Sequence, residues 1–184
     1  GGYIMNENSS AGSDDDSYMM MLQGVLKQNL TDTLDSALGV GVATIGGISS
    51  LGEHVHGDMG GNTRAGNSPA YGFTTAMYDA SLTYKGWAYP IRLSGSYFDN
   101  TQVSEKDGGY FIGAKLGSAK KAGQWEVGYE FRRLEADMFY DHLPESDFGA
   151  TGIKSSTGYN NGTNVKGHVI KAKYNIFDNW QAVF

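Results

Sequence analysis

Between Gln124 and Tyr174 the chain makes two runs of alternating apolar and polar residues, one on each side of a long polar loop. In Trp125-Glu-Val-Gly-Tyr129-Glu-Phe131 the odd positions are large and apolar, and the even ones are Glu, Gly and Glu. In Lys166-Gly-His168-Val-Ile170-Lys-Ala172-Lys-Tyr174 the apolar residues take the even numbers instead. Successive side chains of an extended strand point to opposite faces, so a period of two specifies strands with one apolar and one wet face. A helical reading fails on this periodicity. Such strands suit either a half-buried soluble sheet or the wall of a water-filled membrane barrel.

The same period recurs upstream. Residues 18–28 set Met20, Leu22 and Leu26 against Gln23 and Lys27. Residues 33–45 set Leu34, Leu38, Val40 and Val42 against Asp35, Ala37, Gly39, Gly41 and Ala43. Residues 71–85 set Ala76, Tyr78, Ala80, Leu82 and Tyr84 against Thr75, Asp79, Ser81 and Thr83. Ile91, Leu93 and Tyr97 oppose Arg92, Ser94 and Ser96 in 89–97, and Tyr110, Ile112, Ala114 and Leu116 oppose Gly113 and Lys115 in 110–116. With a strand end at Gly1-Gly-Tyr3-Ile-Met5 and a strand start at 180–184, about nine strands result, the two outermost partial.

Two further regularities separate the membrane reading from a soluble β-sandwich. Connections alternate between long (6–17, 47–70, 99–108, 139–164) and short (29–32, 86–88, 118–123, 177–179), the asymmetry of outer-membrane barrels with long external loops and short periplasmic turns. Trp87, Trp125 and Trp180 all lie in or beside short turns, joined by Tyr84, Tyr89 and Tyr174. Tyr3, Tyr18, Tyr71, Tyr97, Phe98, Tyr110, Phe139 and Tyr140 lie near the long loops. Two aromatic belts are expected where rings anchor at both bilayer interfaces. A sandwich also alternates, but need not sort its Trp to one end.

Composition closes off other classes. With 27 Gly, 12 Tyr and only 3 Pro, the chain suits strands joined by polar turns. It has 0 Cys, so no disulfide framework and no thiol-based metal or redox site. A net charge of −6 without a basic stripe argues against nucleic acid as a partner. No apolar run is long enough for a transmembrane helix, and no leader is visible, so a signal peptide is expected to have been removed or to lie upstream. The mean hydropathy of −0.39 resembles that of a soluble protein, but alternating strands hide their apolar face from averaged scales.

The run Trp125–Asp137, then Ser146-Asp-Phe148, Gly162-Thr-Asn164, Val165-Lys-Gly-His168 and Asn179-Trp-Gln181, resembles the family of bacterial outer-membrane β-barrel porins. These motifs cover about a third of the chain; the remainder is similar in style only. The resemblance implies an outer-membrane barrel passing small hydrophilic solutes, of which this chain is the later part. It also implies a further strand ending in Phe, whereas Phe184 here closely follows the last turn. A truncated chain is the favoured expectation, with Phe184 as a terminal aromatic assembly signal the alternative.

The expected fold is thus all-β: a transmembrane antiparallel up-and-down β-barrel. Residues 1–184 would form one barrel domain, incomplete at both ends, from a barrel of about 16 strands, since a complete eight-stranded barrel fills its lumen with side chains. The small inward positions Ala37, Gly39, Gly41, Ala43, Gly113 and Gly128 would plug a lumen poorly. Pore-lining candidates are Lys27, Asp35, Asp79, Arg92, Lys115, Glu126, Glu130, Arg132, Lys171 and Lys173, with bases in modest excess. Wall charges set ion preference, here for anions, while Asp14, Asp15, Asp16, Glu53, Asp58, Glu145 and Asp147 would favour cations at the mouth. The bland alternative is that these charges only solvate the lumen and each other. Arg133 falls on the lipid face by parity; near an interface that costs only ~0–1 kcal/mol, and a bulge at 132–134 would remove the problem.

No cofactor or enzymatic activity is expected. Glu53-His54-Val-His56-Gly-Asp58 has metal-binding residue types but not the convergent ligands of a structural site, and Asp14-Asp-Asp16 lacks the spacing of a calcium loop. Asp141 beside His142 could be read as a dyad, but sequence neighbours usually point apart. Expected partners are outer-membrane lipid, small polar solutes and ions, with self-association left open. The competing function is a structural or partner-binding barrel acting through loops 47–70 and 139–164.

Overall fold

The computed structural model describes residues 1–6, 16–47, 61–66, 68–144, 148 and 162–184. Nine strands form one sheet: β1 (Gly2–Asn6), β2 (Ser17–Thr31), β3 (Leu34–Gly46), β6 (Phe73–Tyr84), β7 (Ile91–Asn100), β8 (Gly108–Gly117), β9 (Trp125–Leu134), β10 (Val165–Phe177) and β11 (Trp180–Val183). Two short strands, β4 (Arg64–Ala65) and β5 (Ser68–Pro69), make a separate ribbon within the expected 47–70 loop, where no alternation announced it. Each strand of the large sheet pairs antiparallel with its neighbours in sequence, giving an uninterrupted meander. The sheet is open: β1 and β11 are its two edges, so the expected closed barrel is present here as a curtain of strands.

Directly paired residues share a face, so the register settles what each face carries. Leu22, Val42 and Ala76 stand in one row, and Leu38, Ala80, Gly95 and Ile112 in another. The row continues through Phe131 to His168, and a parallel one joins Tyr129 to Ile170. This face is apolar across the sheet and uncovered: Leu22 is 74% exposed, Ile170 71% and Ile112 60%. An apolar surface continuous over so many strands has no place in water, where contiguous patches stay at a few hundred Å². Such a face is one that lipid or another protein surface covers.

The other face carries the polar residues. Buried apolar side chains gather on it at the long-loop end alone among the described residues: Ile45, Phe73 and Tyr140 pack together with Met19 and Phe139. At the short-turn end Tyr89 bridges Trp87 and Trp125 at centroid distances of 5.9 and 4.9 Å, and Trp180 is exposed nearby in sequence to the last turn.

Two expectations need correction. Phe98 belongs to the polar face, tilted against Phe111 at 5.1 Å, and Phe139 and Tyr140 are folded over that face, so none of them joins an outer belt. No bulge occurs at 132–134: Arg132, Arg133 and Leu134 pair in unbroken register with Gly167, Lys166 and Val165. Arg133 therefore stays on the apolar face, one residue from the strand end, where Glu135 holds it at 2.9 Å. His168 sits within β10, as the alternating run places it, its Nδ1 2.7 Å from the Tyr129 hydroxyl.

Candidate functional site: the polar face and the segment seated on it

All ten candidate wall residues fall on the polar face, as the pairing shows: Lys27 with Ala37, Asp35 with Thr83, Asp79 with Gly39, Arg92 with Lys115, Glu130 with Gly113, and Arg132 with Gly167. Six of them converge. Lys115, Glu126, Glu130, Arg132, Lys171 and Lys173 line one cleft of about 230 Å³ on β8, β9 and β10. Glu126 is shared by Lys115 at 3.6 Å and Lys173 at 3.8 Å, while Arg132 pairs with Glu130. The other four stand apart. Asp79 accepts from Ser96 at 2.6 Å and Gln23 at 3.2 Å, Arg92 donates to Ser81 at 3.3 Å, and Asp35 pairs with Lys85 at 2.8 Å. Partly exposed pairs contribute about 0–1 kcal/mol each, so these charges shape the field over the face more than they hold the fold.

A steric regularity explains how the charges lie. Across the ladder, Asp79 faces Gly39, Glu130 faces Gly113, and both Lys115 and Lys171 face Gly128. A Cβ at Gly39 would meet the Asp79 side chain at 3.2 Å, and one at Gly128 would meet Lys115 Cγ at 3.4 Å. The long polar side chains thus lie down across bare backbone instead of standing away from the sheet. Sequence reading took the same glycines only as small inward positions that would plug a lumen poorly.

At the long-loop end residues 135–144 turn back over the polar face and are fastened there. The Thr75 hydroxyl donates to the Met138 carbonyl at 2.7 Å, and Asn100 Nδ2 donates to the Asp137 carbonyl at 2.8 Å. From the 61–64 side, Asn62 Nδ2 donates to the carbonyls of Ala136 and Phe139 at 2.7 and 2.8 Å, and its Oδ1 accepts from the Asp141 N–H at 2.9 Å. Thr63 gives both its N–H and its hydroxyl to the Asp137 carboxylate, and Arg64 reaches Asp141 Oδ2 at 2.8 Å. Gly162, at φ +72°, packs so closely that a Cβ would collide with the Asp141 carbonyl. Asn62, Asn100, Asp137 and Asp141 are all buried and all hydrogen-bonded, as buried polar groups must be. Sequence reasoning did not pick out this set, because the groups that fasten residues 135–144 bond across 37 to 79 residues and follow no period.

Asp141 and His142 do approach each other, with His142 Nε2 3.7 Å from Asp141 Oδ1, contrary to the expectation that they diverge. Burial raises the Asp141 carboxyl above its ordinary range, opposed by Arg64, by the Asn62 N–H and by His142. The Tyr140 phenol is pushed up to about 12, first by burial and then by Asp141, with Arg64 acting the other way. Its hydroxyl is buried without a hydrogen-bond partner.

A group whose folded pKa is raised holds its proton longer in the folded state, so the stability linked to Tyr140 is lost as pH climbs from 10 towards 12. In an alkaline titration followed by phenolate absorbance, Tyr140 should ionise later than the exposed tyrosines, and Tyr140→Phe should remove that late step. Because the lost hydroxyl is unsatisfied, the same change should leave thermal stability unchanged or raised by up to about 1 kcal/mol. A measured loss above that would mean the hydroxyl has a partner.

The metal-type residues Glu53, His54, His56 and Asp58, and the acidic mouth residues Asp14, Asp15, Glu145 and Asp147, lie outside the described residues. Among the described residues no cluster of three or more metal-ligating side chains occurs.

A family model described as Putative porin matches residues 69–183, more than half of the chain, and covers β6 to β11 with the seated segment. No curated protein and no solved structure matches the chain at a significant level. A porin family is not an enzyme family. With its matched span running through the charged cleft, the chain belongs to the family described as Putative porin.

Proposed function

We propose that this sheet is part of the wall of a water-filled β-barrel channel in a bacterial outer membrane, passing small hydrophilic solutes and ions by diffusion. The seated segment carries the reading. Loop residues fastened onto the polar face narrow the space in front of it, which is what a pore constriction requires and what a loop projecting towards a partner protein would not do. The uncovered apolar face supports lipid as the outer solvent. An open strand edge cannot stand in hydrocarbon, so β1 and β11 would be paired in a closed barrel of about 16 strands with residues 1–184 as one stretch of it. All ten polar-face candidates would then line the lumen, six basic and four acidic, with a mild preference for anions.

The test is the full-length purified protein in a planar bilayer. Stepwise ohmic currents with a reversal potential displaced towards anions are expected in a salt gradient. A folded barrel that passes no current would overturn the channel and leave its loops as the functional surface.

A further inference from the structure

We propose that the pocket between the wall and the seated segment binds a small neutral aromatic compound, and that this occupant clamps the constriction in place. The site rests on the seating alone; its effect on current rests on the channel reading. The polar face changes character where residues 135–144 come down on it. Leu134 pairs with Gly109, Gly109 with Phe98 and Phe98 with Met77, so an apolar row crosses four strands of a face that elsewhere carries charges. Gly109 is its low point. A Cβ there would meet Met138 Sδ at 3.1 Å and Leu134 Cδ2 at 3.2 Å, so Met138 of the segment lies against bare backbone. Row and segment do not close on each other completely. Between them is a pocket of about 270 Å³, with Met77, Phe98 and Phe111 on the wall side and Met138, Phe139 and Leu143 on the segment side.

The lining gives the chemistry of the occupant. Its carbon and sulfur surfaces gain free energy when water against them is replaced by an apolar group. Among the described residues of the lining Arg132 alone is ionic. Glu130 already pairs with it, and its guanidinium carbon lies 5.1 Å from the ring centres of Phe111 and Phe148. The Thr75 hydroxyl is given to the Met138 carbonyl. A charged ligand would leave water and gain only what Glu130 or Met138 gave up, so desolvation selects a neutral one. Ring-on-ring and sulfur-on-ring contacts favour an aromatic over a saturated occupant of equal size. Size sets the limit: a cavity of about 150 Å³ takes a benzene ring, so this one takes two fused rings with a short arm. Part of the lining belongs to the wall and part to the segment, so unseating takes the site apart. The occupant therefore favours the seated form by mass action. At about a hundred times its Kd it multiplies the ratio of seated to unseated forms about a hundredfold.

The probe is naphthylmethanol, compared with naphthoate and naphthylmethylammonium, which add charge, and with the saturated decalin alcohol, which lacks the aromatic faces. Binding to the full-length protein in detergent is measured by calorimetry. Naphthylmethanol should bind at least tenfold more tightly than either ion and severalfold more tightly than the saturated alcohol. Leu143→Trp fills the pocket from the segment side, at a residue exposed enough to leave the fold intact, and should weaken binding at least tenfold. Met77→Trp should do the same from the wall side. Partition into detergent is common to parent and variants, so their difference reports the pocket. At saturation the probe should slow chymotryptic cleavage after Tyr140 at least tenfold, in the parent and in Asn62→Ala, and should lower the current in a bilayer. Equal affinity for all the compounds, or in parent and filled variants alike, would overturn the site and leave a conducting channel standing. Selective binding with cleavage unchanged would overturn the clamp. Selective binding and protection in a barrel that passes no current would retain both and overturn the channel.

Discussion

Replacing Asn62 with Ala should release residues 135–144 from the wall and raise single-channel conductance severalfold. The side chain is buried and engages the segment at three points: the carbonyls of Ala136 and Phe139 and the N–H of Asp141. Truncation leaves those groups without their partner where water enters poorly. Each buried unsatisfied group costs about 1–3 kcal/mol, so about 3 kcal/mol or more is lost from the seated state. Every ~1.4 kcal/mol is a factor of ten in population, enough to make the unseated form prominent. The strands should be untouched, because Asn62 lies outside the sheet. Chymotrypsin provides an independent readout: Tyr140 is 1% exposed in the parent and should become cleavable in the variant. Conductance and protection both unchanged would show that the segment is held without Asn62, by its other hydrogen bonds and its apolar contacts with Phe73 and Ile45.

The second large effect is on ion preference. Lys115 and Lys173 converge on Glu126, and changing both to Glu turns a wall of six basic and four acidic residues into one of four and six. The reversal potential in a salt gradient should change sign, from anion- to cation-selective. The shift should be largest at low ionic strength, since charges more than about 10 Å apart are screened at 0.1 M salt. Folding should survive: the pairs removed are partly exposed and contribute about 0–1 kcal/mol each. An unaltered reversal potential in a folded variant would place the selectivity outside this cleft, for instance in the loops.

What the sequence made legible was everything governed by a period of two. Lys27 and Lys173 share a face although β2 and β10 lie at opposite ends of the meander, because each strand's alternation fixes its own two faces and antiparallel pairing carries them across. The parity that placed Arg133 on the apolar face held, and Glu135 answered its charge from beyond the strand end in place of a bulge. Phe98 went astray only because nearness to a long loop was weighed above parity: Ile91, Leu93 and Tyr97 are odd-numbered in β7, and Phe98 is even. Phe139 and Tyr140 had no parity to consult. They lie past the end of β9, where the direction of the chain depends on hydrogen bonds to residues 62–64, 75 and 100, and no local pattern records such partners. The Gly162-Thr-Asn164 motif was visible as a likeness. Its physical reason was not: a left-handed glycine under the Asp141 carbonyl, a buried Thr163, and an Asn164 at φ +57°.

The glycines opposite the charged residues have a bearing on how such a channel could diversify. Gly39 and Gly128 act as parking places for Asp79 and Lys115. A single methyl group at Gly39 would press the Asp79 side chain, 3.2 Å from it, away from the wall. Permeation could then be retuned with the inventory of ionisable residues left as it is. Where a wall charge has a silent glycine partner, that partner is a second dial, and drift at residues that carry no charge becomes a route to new selectivity.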